Sequence, residues 1–227
     1  MRVLSLHRYP VKSLLGEALE AAQVDARGLS GDRRWAVVHP DGKLGSGKSS
    51  RRFRRTPGLL DLAAVLVDGR PVVRLPDGRS FGPGPGADAA LAERLGVDVA
   101  LREEDGEPFF DDGPVHLVTT SSLARLRDEL GHDVPAGRFR ANVVVETGDS
   151  AFAEDAWVGR GLALGEVRLR VAERMPRCVM VGMEQGALPD DRAVLPGVHR
   201  VNEGTFGVWA TVVRPGRVAV GDPVALV

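Results

Sequence analysis

Short alternating segments, separated by turn residues, constrain this chain most strongly. Apolar and polar side chains alternate over 166–171, for example, which is the period of a half-buried strand. Similar segments recur roughly every ten residues and end at glycine, proline, asparagine or aspartate. The predicted strands are 2–8, 17–26, 34–39, 59–67, 71–75, 97–103, 115–118, 138–145, 166–171, 204–213, 217–220 and 224–227.

Helices are few in this pattern. Residues 88–95 and 123–130 are the predicted helices, and each is followed by a glycine. The sequence therefore predicts a mainly β (α+β) fold with a β-barrel-like sheet. The acidic polar segment 103–108 is the best candidate boundary, which predicts a β-rich N-terminal domain at 1–105 and a second domain at 106–227.

Composition excludes several classes of function. The formal net charge is -1, so no bulk electrostatic attraction to nucleic acid or to a membrane surface is expected. A single cysteine excludes an internal disulfide framework, a self-contained zinc finger and an iron–sulfur cluster held only by cysteines of this chain. The apolar run after Met1 is too short for a signal peptide, and no run could span a bilayer. A soluble cytoplasmic protein is the expectation.

The solitary cysteine, Cys178, lies just after the alternating segment 166–171. Pro176 has no N–H group for a sheet ladder, so the strand is expected to stop there and to leave Cys178 at its end. The neighbouring guanidinium of Arg177 favours the thiolate, which is the form that binds metals and attacks electrophiles. The alternative interpretation is a buried cysteine that acts as a small apolar side chain.

A second motif, Gly42–Ser49, fits the P-loop pattern of nucleotide-binding proteins and follows a predicted strand. A P-loop must open a helix, but residues 51–55 contain four arginines and Pro57-Gly58 follows soon after. We therefore expect a lysine-rich hairpin tip that holds an anion, with a solvated hairpin and a nucleotide site as alternatives. The motif contains two of the only three lysines, Lys43 and Lys48.

Anion-binding residue types recur elsewhere in the chain. Lys12 lies in a proline- and serine-flanked turn, and the hydroxyl-rich turn 119–122 precedes a predicted helix, where it indicates either an anion site or simple capping. Together with Lys48, Arg33, Arg140 and Arg177, these residues form a set of candidate anion binders that accompanies one soft metal ligand, Cys178. A metal cofactor that brings its own sulfur ligands and its own phosphate fits this set. The five histidines show no zinc-ligand spacing.

Several short motifs, in this order, make the chain resemble a known family. The motifs are Tyr-Pro-Val-Lys-Ser (9–13), Gly-Asp-Arg-Arg-Trp (31–35), Arg-Arg-Thr-Pro-Gly-Leu (54–59), Leu-Val-Thr-Thr-Ser-Ser-Leu (117–123), Arg-Phe-Arg-Ala-Asn (138–142), Pro-Arg-Cys (176–178), Phe-Gly-Val-Trp (206–209) and Val-Gly-Asp (220–222). They are similar to those of MOSC-domain proteins of the mitochondrial amidoxime-reducing component type, which carry a MOSC N-terminal β-barrel domain. The set covers nearly the whole chain.

The resemblance implies a molybdenum cofactor, a pyranopterin dithiolene with a terminal phosphate, and a molybdenum ligand in Cys178. It implies that the pterin and phosphate are held by Lys12, Ser13, Arg33, Arg140 and Arg177, with Thr120 and Ser121 contributing. Lys48 is a further candidate cofactor-binding residue from its residue type alone, because residues 43–50 are not standard for the better-known members of the family. Asn142 is expected to orient its neighbours, and Trp209 to line the substrate side. The implied activity is two-electron reduction of N-hydroxylated compounds, with electrons from a separate protein of the ferredoxin or flavoprotein type.

One departure affects these expectations. The family often continues after the cysteine with a Thr-Val-Asp-like run, whereas this chain has Val179–Glu184. The substrate pocket and the redox partner are therefore the least constrained features. A carrier module that binds the cofactor without turnover remains an alternative, as does the P-loop nucleotide binder.

Overall fold

A computed structural model describes residues 1–148 and 150–227. These residues form eighteen strands, three α-helices and four 3-10 helices. The strands are β1 (Arg2–Arg8), β2 (Glu17–Leu19), β3 (Ala21–Asp25), β4 (Gly28–Leu29), β5 (Trp35–Val38), β6 (Leu44–Ser46), β7 (Phe53–Arg55), β8 (Ala63–Val67), β9 (Arg70–Arg74), β10 (Ser80–Phe81), β11 (Ala100–Glu103), β12 (Val115–Thr119), β13 (Val143–Glu146), β14 (Gly161–Leu164), β15 (Val167–Pro176), β16 (Thr205–Arg214), β17 (Gly216–Ala219) and β18 (Val224–Leu226).

The helical elements are short. The α-helices are α1 (Pro85–Leu95), α2 (Thr120–Leu130) and α3 (Val194–Asn202), and the 3-10 helices are Leu59–Asp61, Ala136–Phe139, Ala153–Trp157 and Val179–Gly182. The predicted mainly β fold is confirmed. In the described part of the chain, no helix has both the length and the apolar character needed to cross a membrane.

The largest sheet has eight strands in the order β18-β14-β15-β16-β12-β13-β1-β2. Within it, β12 and β13 run parallel and the other pairs run antiparallel. Its core includes Leu117, Val171 and Val208, which are all fully buried. Alternation places these side chains on one face because successive residues of a strand point to opposite sides.

Three smaller sheets complete the fold, in the orders β11-β5-β6-β7, β10-β9-β8 and β17-β3-β4. In the order of the described strands, β2 and β18 are the edges of the large sheet, so the sheet is not a fully closed barrel. Backbone hydrogen bonds nevertheless join the start of β1 to the segment before β18, with Arg2 opposite Pro223, so the two ends of the sheet approach one another as in the predicted barrel-like fold.

Strand pairing ties the start of the chain to its second half. β1 pairs with β13, with Arg2 opposite Glu146, and β3 pairs with β17. A second core, which includes Val37, Leu62 and Leu91, lies under the smaller sheets of the first half. The division into 1–105 and 106–227 stays a prediction.

The structure differs from the predicted elements at several places. The strand predicted over 17–26 is divided into β2 and β3. The strand predicted over 138–145 begins only at Val143, because Ala136–Phe139 is a 3-10 helix and Arg140 has a left-handed φ of 54°. The helix α3 was not predicted, since its sequence contains Pro196 and Gly197, which disfavour a helix interior.

Candidate functional site

A cavity of about 420 Å³ lies between residues of the two halves of the chain. Its wall includes β6, the segment before β12, and the segment after β15. Among the described residues, seven basic and two acidic side chains line it. The predicted site residues that line this cavity are Lys12, Ser13, Arg33, Lys48, Arg140, Arg177 and Cys178.

Cys178 lies where the strand prediction placed it. β15 ends at Pro176, whose partner on β16 is Thr205, and Cys178 follows two residues later at the start of the 3-10 helix Val179–Gly182. The cysteine is a free, half-buried thiol on the cavity wall. It is therefore accessible to a ligand, unlike a cysteine packed into an apolar core.

Arg177 is fixed beside the thiol by several hydrogen bonds. Its guanidinium donates to the carbonyl oxygen of Phe206 (Nε–O, 2.8 Å) and to that of Phe139 (Nη1–O, 3.2 Å). Burial lowers the pKa of Arg177 to about 9, an effect partly offset by the charge of Cys178. The guanidinium therefore stays cationic at neutral pH, and most of its donors are already used within the protein.

His116 also lines the cavity, and the sequence analysis did not identify it. Its Nε2 atom accepts a hydrogen bond from the guanidinium of Arg177. Burial, followed by the charges of Arg177 and Arg33, lowers the pKa of His116 well below its ordinary value. His116 is therefore a neutral acceptor that orients Arg177.

Two further arginines stack on one aromatic ring. The guanidinium carbons of Arg33 and Arg140 lie 4.9 Å and 4.4 Å from the centroid of the Tyr9 ring. Among the residues that the structure describes, both terminal nitrogens of Arg140 are buried without a hydrogen-bond partner. Burial lowers the pKa of Arg140 to about 10, so the group remains charged at neutral pH. A buried cation with free donors is suited to an incoming anion.

Lys12 belongs to the same basic cavity lining, and the residue is only 7% exposed. Its Nζ atom lies 2.5 Å from Oδ1 of Asp111 and 4.7 Å from the centroid of the Phe53 ring. Burial lowers the pKa of Lys12 to about 8, although the pairing with Asp111 opposes this shift. Lys48 approaches the same carboxylate at 3.9 Å and the same ring at 5.3 Å.

Two acidic residues of the cavity were likewise not identified from the sequence. Burial opposes ionisation of Asp111, but the charge and hydrogen bond of Lys12 outweigh it and lower the pKa of Asp111. The neighbouring Asp112 shows the opposite behaviour, because burial and the charge of Asp111 raise its pKa. The two carboxyl groups therefore differ in their readiness to hold a proton.

Three cavity residues adopt left-handed backbone conformations. Ser13, Arg33 and Arg140 have φ angles of 64°, 50° and 54°. This region costs a residue other than glycine on the order of 1 kcal/mol or more. Such conformations recur where the surrounding structure holds a functional side chain in place, which fits the position of these three residues at one cavity.

Asn142 lies behind the cavity and is fully buried. Its Oδ1 atom accepts hydrogen bonds from Nη1 of Arg33 (3.3 Å) and from the backbone N–H of His116 (3.1 Å). Its Nδ2 group donates to the carbonyl oxygen of His7 at 3.3 Å. Asn142 thus connects β1, β12 and Arg33, in line with the expectation that it orients its neighbours.

Besides Asn142, three predicted site residues lie outside the cavity lining: Thr120, Ser121 and Trp209. The Thr120 hydroxyl accepts from the backbone N–H of Thr147 (3.1 Å), and the Ser121 hydroxyl accepts from the Thr147 hydroxyl (2.9 Å). The ring of Trp209 packs against Gly113, where an added Cβ atom would lie 2.0 Å from the ring. Trp209 is therefore separated from the cavity by the backbone of Gly113, and the roles of these three residues stay predictions.

The P-loop-like segment does not have P-loop geometry. β5 and β6 are antiparallel, and Gly42 and Lys43 lie in the turn between them, so the start of the segment is at a hairpin turn as predicted. The part that contains Lys48 instead connects β6 to the parallel strand β7, and within the described residues no helix begins directly after Lys48. The Ser49 hydroxyl accepts a hydrogen bond from the backbone N–H of Arg55 at 3.1 Å. The hydroxyl that would hold Mg²⁺ in a P-loop is here part of the loop's own structure.

Metal ligands are scarce around the cysteine. In the described part of the chain, no group of three or more histidine, cysteine, aspartate or glutamate residues is arranged to hold a metal ion. A metal at Cys178 would therefore need most of its ligands from another molecule.

Family models match almost the whole chain. The model of the MOSC N-terminal beta barrel domain matches residues 1–100, and that of the MOSC domain matches residues 95–225. The chain belongs to the MOSC-domain family, which confirms the resemblance noted from its motifs.

Individual relatives refine this assignment. The chain is 27% identical to mitochondrial amidoxime reducing component 2 of Bos taurus, in a match that covers 98% of this chain and 82% of the relative. It is 24% identical to the molybdenum cofactor sulfurase of Drosophila erecta, across 94% of this chain and 32% of that protein. The fold resembles that of the YuaD protein from Bacillus subtilis, with a TM-score of 0.56, 15% identity, and coverage of 99% of this chain and 94% of that one. The expected cytoplasmic location stays a prediction.

Proposed function

We propose that this protein is a molybdenum-cofactor-dependent oxidoreductase that reduces N-hydroxylated compounds. The observation that carries the proposal is that Cys178 lines the same cavity as Lys12, Arg33 and Arg140. A thiolate ligates soft or high-valent metals, and clustered cations hold phosphate. The names of the relatives, an amidoxime reducing component and a molybdenum cofactor sulfurase, support both parts of the proposal.

The lining fits a cofactor of this kind. The terminal nitrogens of Arg140 are buried and lack protein acceptors among the described residues. Buried N–H groups are nearly always hydrogen-bonded in folded proteins, so an anionic oxygen from a ligand would complete this site. Because no cluster of metal-binding side chains surrounds Cys178 in the described part of the chain, a cofactor with its own sulfur ligands fits better than a bare metal ion.

The residues then divide into distinct roles. Cys178 supplies the single protein ligand to molybdenum. Lys12, Ser13, Arg33 and Arg140 hold the phosphate and the pterin, and Lys48 adds positive charge near Asp111. Arg177 places a buried positive charge beside Cys178.

When bound, the cofactor supplies a centre that exchanges two electrons beside Cys178. Reduction of an N–OH group to N–H consumes two electrons and two protons and releases water. Asp112 lines the cavity, and burial and the charge of Asp111 raise its pKa toward neutral pH. Asp112 is therefore the side chain best suited to exchange a proton with a bound substrate. The single cysteine cannot hold an iron–sulfur cluster by itself, and the proposal therefore assigns electron supply to a separate redox protein.

Metal analysis tests the proposal directly. The protein purified from cells that make the cofactor should contain stoichiometric molybdenum, and Cys178→Ser should lose it while keeping its circular dichroism spectrum. Lys43→Ala is the matched control, because Lys43 lies outside the cavity lining, and it should retain the metal. Molybdenum retained by Cys178→Ser would contradict the assigned ligand.

Turnover separates an enzyme from a carrier module. The molybdenum-loaded protein, reduced with methyl viologen, should convert benzamidoxime to benzamidine. A loaded protein that holds molybdenum yet reduces neither benzamidoxime nor a simple hydroxylamine would favour the carrier function.

A further inference from the structure

We call residues 47–55 the basic loop. It begins directly after β6 and ends with β7, which runs parallel to β6. The loop contains Lys48 and four arginines, and no acidic residue occurs between Asp41 and Asp61. The proposed function gives a cofactor role to Lys48 alone. The remaining positive charge of the basic loop therefore needs another explanation.

The backbone of the basic loop is held in one conformation by its own serines. The Ser50 hydroxyl accepts hydrogen bonds from the N–H groups of Arg52 and Phe53, each at 3.2 Å, and Ser49 accepts from Arg55. The Phe53 ring lies under Lys12, Lys48 and Arg52, at 4.7, 5.3 and 5.8 Å from the ring centroid. The loop thus presents its charges from a defined surface.

The charges of the loop divide into inward and outward sets. Lys48 and Arg52 line the cavity, and Arg52 donates to the carbonyl oxygen of Phe110 at 3.2 Å. Arg54 forms an ion pair with Asp41 at 2.6 Å. Arg51 and Arg55 are exposed, and among the described residues neither forms an ion pair. The outer surface of the loop therefore carries positive charge that the protein does not neutralise.

We propose that the basic loop is the docking surface for an acidic electron-carrier protein, for which a [2Fe–2S] ferredoxin serves as the probe. The inference rests on the proposed function, because it gives the required electron donor a place to bind. Lys48, Arg52 and Phe53 line the same cavity as Cys178, so a protein seated on the loop lies at the mouth of the redox site. Complementary charge accelerates such encounters by about 10- to 1000-fold at low salt.

The test uses the full-length, molybdenum-loaded protein and a reduced acidic [2Fe–2S] ferredoxin as the donor. The double variant Arg51→Glu/Arg55→Glu should lower the second-order rate constant of ferredoxin-dependent benzamidoxime reduction about tenfold or more at low ionic strength. The difference should shrink near 1 M salt, where the screening length is about 3 Å. Reduction driven by methyl viologen should change by less than about twofold, because a small reductant needs no docking surface.

A binding measurement gives a readout that is independent of turnover. Calorimetric titration of the ferredoxin into the protein at low salt should show a dissociation constant raised about tenfold in the double variant, as expected for loss of rim charges. The matched control is Arg70→Glu/Arg74→Glu, which reverses two exposed arginines of β9 that lie outside the cavity, and it should bind like the wild type.

The possible failures are distinguishable. No turnover with methyl viologen in the wild type would contradict the proposed function itself. Viologen-driven turnover combined with equal ferredoxin binding by the wild type and the double variant, or with no binding by either, would overturn the docking surface. Tighter charge-dependent binding to duplex DNA or to vesicles of anionic phospholipid than to ferredoxin would overturn it as well.

Discussion

The Nζ atom of Lys12 lies 2.5 Å from Oδ1 of Asp111, so a buried ammonium of the first half is paired with a carboxylate that precedes β12. An anion that enters the cavity must therefore compete with Asp111 for this cation. The competition depends on pH, because burial lowers the pKa of Lys12 to about 8. A lowered pKa means that the lysine loses its charge as the pH rises through that value.

Sulfate binding to the cofactor-free protein should report this titration, since sulfate keeps its charge over the whole range. We expect the affinity of the wild-type cavity for sulfate to fall as the pH rises from 7 to 9, as measured by calorimetry. The Lys12→Arg variant should bind sulfate with a smaller dependence on pH, because a guanidinium has a higher intrinsic pKa than an ammonium group and loses less of its charge over this range. Equal pH profiles for the two proteins would contradict the assigned role of Lys12.

Arg140 should destabilise the folded state of the cofactor-free protein. Both terminal nitrogens of its guanidinium are buried without partners among the described residues, and unsatisfied buried donors cost about 1–3 kcal/mol. We expect Arg140→Met to raise the melting temperature of the cofactor-free protein by about 2–6 °C and to abolish molybdenum retention.

Arg138 provides the control for this prediction. Its guanidinium is buried but donates to the carbonyl oxygens of Met183 (3.1 Å) and Pro189 (2.6 Å). Arg138→Met should therefore lower the melting temperature, because two buried acceptors lose their donor. A lower melting temperature for both variants would show that Arg140 is satisfied in the folded protein.

Asn142 should act on the site through its neighbours. Asn142→Leu removes the acceptor for Arg33 and for the buried N–H of His116, which should cost about 2–4 kcal/mol in urea denaturation and reduce molybdenum content. Asn202→Leu is a matched control, since Asn202 forms comparable bonds to Asp155 and Thr205 away from the cavity. It should destabilise the protein but keep its molybdenum, and equal metal loss in both variants would contradict a positioning role.

Glu154 should limit stability at neutral pH. Burial raises the pKa of its carboxyl group, although the hydroxyls of Thr119 (2.6 Å) and Ser122 (2.7 Å) donate to it. A raised pKa means that the folded state favours the protonated form, so stability falls as the pH rises through the folded pKa. We expect Glu154→Gln to be more stable than the wild type at pH 7, with the difference vanishing below about pH 4.

The half-buried carboxylate of Glu129 gives the opposite sign and serves as the control. Its hydrogen bond to Arg200 lowers the pKa of this carboxyl group, so the ionised form is favoured on folding. Glu129→Gln should reduce stability at pH 7 and have no effect once both states are protonated. Thermal unfolding at several pH values measures both variants, and the same sign for both would contradict the assignment.

Local patterns predicted the fold well where burial alternates along the strand. The even spacing of Val167, Leu169 and Val171 predicted β15, because these side chains all enter one core. Prediction failed where backbone conformation departs from propensity. Because Arg140 has a left-handed φ, β13 begins only at Val143. The helix α3 forms despite Pro196, because its apolar residues pack on the core formed by α2 and β16.

The same limit applies to the candidate site. The position of Cys178 followed from Pro176 two residues away, which is a local effect. The pairing of Lys12 with Asp111 joins residues 99 positions apart, and that of Arg177 with His116 joins residues 61 apart. Neither pair leaves a spacing pattern in the sequence, because tertiary packing alone brings the partners together.

The pairing of β1 with β13 affects how the chain is made. The contact between Arg2 and Glu146 joins residues 144 positions apart. A ribosome adds about 5–20 residues per second, so the synthesis of this intervening segment takes roughly 7–30 s. During this time the only neighbouring strand of the large sheet that has been synthesised for β1 is the short β2. Its charged residues Arg2 and Arg8 are placed to discourage aggregation during that delay, as gatekeepers beside an apolar segment do.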